Sequence, residues 1–182
     1  AREIVCCASN KSKEEFVRDG RLYASPEIEA GVQSLLERRL QGEPVAYLVG
    51  EWEFFGLPLT ITPDVLIPRD DTQVLAEQAV AYLKTCNGNV RVLDLCTGSG
   101  CVGLAVAAEL PDRRVVLADK SEAALRVARM NVRMNHLQSR TAVMQADALE
   151  PPPSNFDGFR CIVSNPPYIP TADIEGLDVS VK

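Results

Sequence analysis

An α/β fold built on a parallel sheet is what this sequence predicts, and three observations carry that prediction. From Pro63 onward, short apolar runs alternate with helix-length amphipathic segments. The run Val90-Arg91-Val92-Leu93-Asp94-Leu95 is followed by Gly98-Ser99-Gly100-Cys101-Val102-Gly103, a G-x-G-x-x-G turn between a strand and a helix. Asp119 then closes the next apolar run, about twenty residues on, where a carboxylate can accept bonds from ribose hydroxyls.

Residues 1–43 are expected to form a small helical domain, incomplete at its start because no Met begins the chain. Ser12 and Glu15 have the spacing of a capping box. Ser25 caps a stronger helix with Pro26 at its first position; Ile28, Val32, Leu35, Leu36 and Leu40 share one face, and Gly42 ends it. Residues 44–62 read as a β-rich linker: Tyr47-Leu48-Val49, Trp52 to Phe55 and Leu57 to Ile61 are broken by Gly50 and Gly56, as in a hairpin. Its aromatics are expected to serve packing, with a lid over the next domain as the alternative.

Residues 63–182 supply the alternating part. Asp71 or Thr72 is expected to cap a helix carrying Leu75, Ala79, Tyr82 and Leu83, which closes near Gly88. Strand one spans residues 90–95, and an apolar helix from Val102 to Leu110 stops at Pro111. Strand two is Val115 to Ala118, and Ser121 caps a helix with Ala124, Leu125, Ala128 and Val132 inward. Strand three is Ala142 to Met144, and strand four is Cys161 to Val163 beyond the Pro151-Pro152-Pro153 loop. Such alternation implies parallel βαβ units with both sheet faces covered.

Composition narrows the function classes. The 182 residues carry a net charge of -6 and a pI near 4.9, so the chain lacks the basic footprint of duplex binders. No run reaches the length of a membrane span, and Ala1-Arg2-Glu3-Ile4 is not a secretory signal. Six cysteines lack metal-type spacing, so reduced thiols, a cytoplasmic protein and no metal site are expected. The single histidine, His136, lies in a polar stretch, which excludes His-dependent triads.

The glycine turn alone fits NAD and S-adenosylmethionine alike. Two features favour S-adenosylmethionine. Asp94 immediately precedes Leu95-Cys96-Thr97-Gly98-Ser99-Gly100; an acid there suits a ligand with an ammonium and would repel a pyrophosphate. Asp147-Ala148 follows strand three, where an acid and the next backbone amide could bond an adenine edge. Thr97, Gly98, Gly100 and Asp119 complete the expected cofactor set. Asn165-Pro166-Pro167-Tyr168 ends strand four, which should lie beside strand one across the point where strand order reverses. Two prolines make that turn stiff and rich in acceptors. Asn165 and the Pro166 carbonyl could accept both N–H groups of an amide or exocyclic amine. Tyr168 could pack on the planar group, and Asn165 would also face the cofactor's methyl.

These segments resemble the HemK/PrmC family, protein-(glutamine-N5) methyltransferases acting on peptide chain release factors. The likeness rests on Gly42-Glu43-Pro44-Val45-Ala46-Tyr47-Leu48-Val49-Gly50 with Glu53-Phe54-Phe55-Gly56-Leu57, on Leu66-Ile67-Pro68-Arg69, and on the glycine turn through Ser164-Asn165-Pro166-Pro167-Tyr168-Ile169. It implies a Rossmann-like class I S-adenosylmethionine-dependent methyltransferase sheet behind a helical, release-factor-recognition domain and a hairpin linker. It further implies methylation of the Gly-Gly-Gln glutamine of class I peptide chain release factors, with Asn165 and Pro166 holding the amide and Asp119 the ribose. Arg69-Asp70-Asp71-Thr72-Gln73 departs from the family's Arg-Pro-Asp-Thr-Glu, since Gln73 replaces a carboxylate. The family continues past strand four, so a sheet truncated near Lys182 is expected. Alternatives are an amino-methyltransferase acting on adenine or guanine in nucleic acid, and an inactive partner-binding fragment.

Overall fold

The computed structural model describes residues 1–154 and 156–168. They form two compact units, 1–50 and 51–168. In the first, α1 (Arg2–Ser9) packs against α2 (Lys13–Arg18), α3 (Pro26–Leu40) and α4 (Val45–Val49). The expected capping box is present: Ser12 Oγ accepts from the Glu15 amide and Glu15 Oε2 from the Ser12 amide. Ser25 Oγ likewise accepts from the Ile28 amide. One expectation fails here. Tyr47-Leu48-Val49 lies in α4 rather than a strand, because Pro44 and Gly50 (φ 76°) frame one helical turn that buries Ala46 and Leu48. The apolar face of α3 holds no fully buried residue, and Leu40 is 87% exposed.

The second unit opens with an antiparallel hairpin, β1 (Glu51–Phe54) and β2 (Leu57–Thr60), turned at Phe55 and Gly56. Packing is the use of Phe54 and Leu59, which are 1% and 0% exposed, whereas Trp52 stays partly open. After α5 (Asp70–Lys84) come β3 (Arg91–Leu95), α6 (Cys101–Glu109), β4 (Arg114–Asp119), α7 (Glu122–Met134), β5 (Thr141–Gln145) and β6 (Phe159–Ser164). The four strands pair in parallel in the order β5-β4-β3-β6. The chain thus steps from β3 to one side, then returns to the other, opening a crevice beyond the carboxyl ends of β3 and β6.

The cap of α5 differs from expectation. Helix geometry already begins at Asp70, Arg69 is the N-cap without a side-chain bond, and Thr72 is a buried residue of the first turn. Tyr82 also points outward, at 45% exposure. On one sheet face α6 packs on β3 and β4; Leu93, Val116 and Ala118 form an apolar cluster on the alternate positions. Phe156 and Phe159 cover that cluster, ring edge to ring face at 5.7 Å, and no helix occurs among the described residues between β5 and β6.

Candidate active site

The glycine turn is held in shape by its own backbone bonds. The Thr97 amide donates to Ala118 O at 3.0 Å, and the Gly100 amide to Thr97 O at 2.9 Å. Gly98 (φ 55°) and Gly100 (φ 86°, the N-cap of α6) adopt left-handed backbone that glycine enters without a Cβ penalty. Cys96 holds φ 60° without that freedom. Gly103 is required for a different reason. A Cβ there would lie 2.2 Å from Leu117 Cδ2 and 3.0 Å from Asp94 Oδ2, so α6 can approach the sheet this closely only without one.

Asp94 is 2% exposed, and both of its bonds go to one oxygen. Oδ2 accepts the Thr97 hydroxyl at 2.6 Å and the Gly103 amide at 2.9 Å; Oδ1 takes neither. Burial pushes its carboxyl up to about 6, outweighing the two bonds that favour the anion. Asp119 uses both oxygens: Oδ2 accepts the Gly98 amide and Oδ1 the Ser121 amide, each at 2.9 Å. Each oxygen keeps a second lone pair for a hydroxyl donor. Cys101 carries no accessible nucleophile, since burial pushes its thiol up to about 12.

A cavity of about 50 Å³ brings Asp94, Thr97, Gly98 and Asn165 together, with Leu66, Pro68 and Thr72 as further walls. Against the roughly 300 Å³ or more of a typical cofactor cleft, this space suits one end of a ligand. Asn165 Nδ2 donates to Thr72 Oγ1 at 3.4 Å, which directs its Oδ1 end elsewhere as an acceptor. Ser164 Oγ donates to Leu95 O at 2.6 Å and rivets the end of β6 to the end of β3. Pro166, Pro167 and Tyr168 are exposed, Tyr168 at 77%, and none lines the cavity. Asp147 is drawn to the surface instead: its Oδ2 pairs with Lys120 Nζ at 2.8 Å and its Oδ1 accepts the Leu149 amide. The Lys120 bond holds its carboxyl below the usual range, and neither Asp147 nor exposed Ala148 reaches the cavity.

Sequence reasoning treated Thr72 only as a cap, although it sits beside Asn165. Asn131 was missed altogether. Its signal was available: an amide on the same face as Ala124, Leu125, Ala128 and Val132 must be satisfied inside the fold. The described residues hold no group of three or more metal-ligating side chains.

The donor set suits a ligand with an ammonium and a diol: an acid with one oxygen uncommitted beside the turn, and a second acid at the end of β4. Sequence comparisons add the family. The family description "Methyltransferase small domain" matches residues 71–176, and "PrmC N-terminal domain" matches residues 1–50. A release factor glutamine methyltransferase of Thermodesulfovibrio yellowstonii is 34% identical over 100% of this chain and 64% of its own length. The enzyme of that name from Aliivibrio fischeri is 40% identical over 93% of this chain and 58% of its own. That from Salmonella typhimurium is 46% identical over 76% and 48%. The chain therefore spans less than two thirds of these relatives' lengths. Among solved structures, the human methyltransferase 10 domain containing protein matches with a TM-score of 0.51 at 20% identity, covering 75% of this chain and 62% of that one. The N-terminal domain of human METTL16 matches at 0.50 and 19% identity, over 63% and 47%; these two likenesses speak to the fold alone. The chain belongs to the methyltransferase small domain family, and its residues 1–50 match the PrmC N-terminal domain.

Proposed function

We propose that this chain carries the catalytic residues of an S-adenosylmethionine-dependent protein-(glutamine-N5) methyltransferase. Its substrate is the Gly-Gly-Gln glutamine of class I peptide chain release factors. The observation that carries this reading is the Asn165 amide at the wall of the cavity bounded by Asp94, Thr97 and Gly98.

S-adenosylmethionine, when bound, supplies an electrophilic sulfonium methyl. Asp94, through Oδ1, would pair with its ammonium, and Asp119 would accept from its ribose hydroxyls. An amide nitrogen is a poor nucleophile, so placement is the main contribution open to the protein. Asn165 Oδ1 and the Pro166 carbonyl would accept the two N–H groups of the glutamine and fix the plane of its nitrogen. The Thr72 contact would help to orient Asn165. Alignment of this kind is worth on the order of several kcal/mol. Exposed Tyr168 and Pro167 would pack on the incoming peptide. Asp147 would meet the adenine through a lone pair that its Lys120 and Leu149 bonds leave free, with the Ala148 amide beside it.

The experiment is mass spectrometry of a Gly-Gly-Gln release factor incubated with this chain and S-adenosylmethionine. A gain of one methylene on the glutamine is expected, and its loss with Asn165→Ala. Methylation of adenine or guanine in RNA or DNA, with none of the release factor, would overturn the substrate assignment. Calorimetry showing no cofactor binding would favour a partner-binding fragment.

A further inference from the structure

We propose that Asn131 is a positioning residue that couples the β1–β2 hairpin to the cofactor turn. This rests on the cofactor reading given above. Asn131 is 0% exposed on α7, which packs against β2. Its Oδ1 accepts the Thr60 amide at 2.7 Å, and its Nδ2 donates to Thr60 O at 3.1 Å. That double bond imitates a strand pairing on the free edge of β2. The second Nδ2 hydrogen goes to Ser99 O at 2.9 Å, inside the glycine turn, so both donors of the amide are used. Ser99 is itself 2% exposed, which leaves its carbonyl few other partners. One rigid amide thus fixes both the last residue of the hairpin and the peptide plane between Ser99 and Gly100.

A neighbouring bond separates the two roles. Asn135 Nδ2 donates to Pro58 O at 2.8 Å, anchoring the same hairpin without touching the turn. Loss of Asn135 should loosen the hairpin only, whereas loss of Asn131 should loosen both. A stranded buried carbonyl at Ser99 should tilt the turn and weaken the ligand grip by roughly tenfold. Coupling must also run backwards: a ligand that stiffens the turn stiffens the hairpin.

Amide hydrogen exchange and calorimetry with S-adenosylhomocysteine test this. In unliganded protein, Asn131→Leu should speed exchange in residues 57–61 and 97–103, while Asn135→Ala speeds only 57–61. Asn131→Leu should raise the Kd about tenfold, and Asn135→Ala should leave it within about twofold. Should Asn131→Leu not fold, Asn131→Asp keeps the Thr60 amide bond and loses both donations, and the same readouts apply. In the wild type, ligand should slow exchange at 57–61 as well as at the turn. The inference is overturned if residues 97–103 exchange alike in the Asn131 and Asn135 variants, or if ligand leaves 57–61 unchanged. Absence of wild-type binding would sink the cofactor reading instead, and the unliganded exchange pattern would then decide the role of Asn131 by itself.

Discussion

Replacement of Asp94 by Asn should make the free protein more stable and the ligand complex weaker. Folding raises this carboxyl from 3.8 to about 6, chiefly by burial. Between those values the native state holds a proton that the unfolded chain has released, so native stability falls as pH rises through the window. The full cost of the buried anion is about 3 kcal/mol, present above roughly pH 7 and absent below roughly pH 4. Asn is isosteric and can place its carbonyl where Oδ2 now accepts Thr97 and Gly103. Urea unfolding of both proteins across that range should show the variant's advantage growing by about 3 kcal/mol with rising pH. Other carboxylates cancel in the difference. A gap that stays constant, or closes as pH rises, refutes the argument. S-adenosylhomocysteine, which retains the ammonium, should bind the variant at least about tenfold more weakly at neutral pH.

Three further substitutions test the frame. Gly103→Ala drives a methyl into Leu117 and Asp94; overpacking of about 1–3 kcal/mol exceeds the roughly 1 kcal/mol gain in helix propensity, and the urea midpoint should fall. Arg113, 6% exposed, donates to the carbonyls of Leu83, Cys86 and Gly88 below α5. Arg113→Met strands those acceptors and should cost about 3 kcal/mol by denaturation, whereas an unchanged midpoint would assign them other donors. Ser12→Ala removes the capping box of α2 and should lower the stability of residues 1–50 by about 1 kcal/mol, read by proteolysis of that unit.

Local chemistry made much of this legible. Ser12, Ser25 and Ser121 announced three helix starts because their hydroxyls bond amides three residues away. The β3 to β5 segment was readable because apolar strands and glycine punctuation act over short spans. Tyr47 to Val49 misled because a five-residue apolar run fits a strand or a single helical turn, and only Pro44 and Gly50 decide. Asp147 could not be judged from sequence, since its pairing with Lys120 depends on how two strand ends meet. Thr72 and Asn131 escaped notice because their partners lie far along the chain: Asn165 for one, Thr60 and Ser99 for the other.

Those spans also order the birth of the site in time. The turn around Asp94, Thr97, Gly98 and Asp119 closes across 21 residues, the separation of Gly98 from Asp119, and Asn131 adds its bond to Ser99 across 32. The proposed amide clamp waits on Ser164 reaching Leu95 across 69 residues and Asn165 reaching Thr72 across 93. Closing a longer loop costs more chain entropy before any contact rewards it. During synthesis the glycine turn can therefore form on a chain that has not yet made the proposed clamp. A ligand present early would stabilise the half-built domain, and the ability to position a target amide would arrive last.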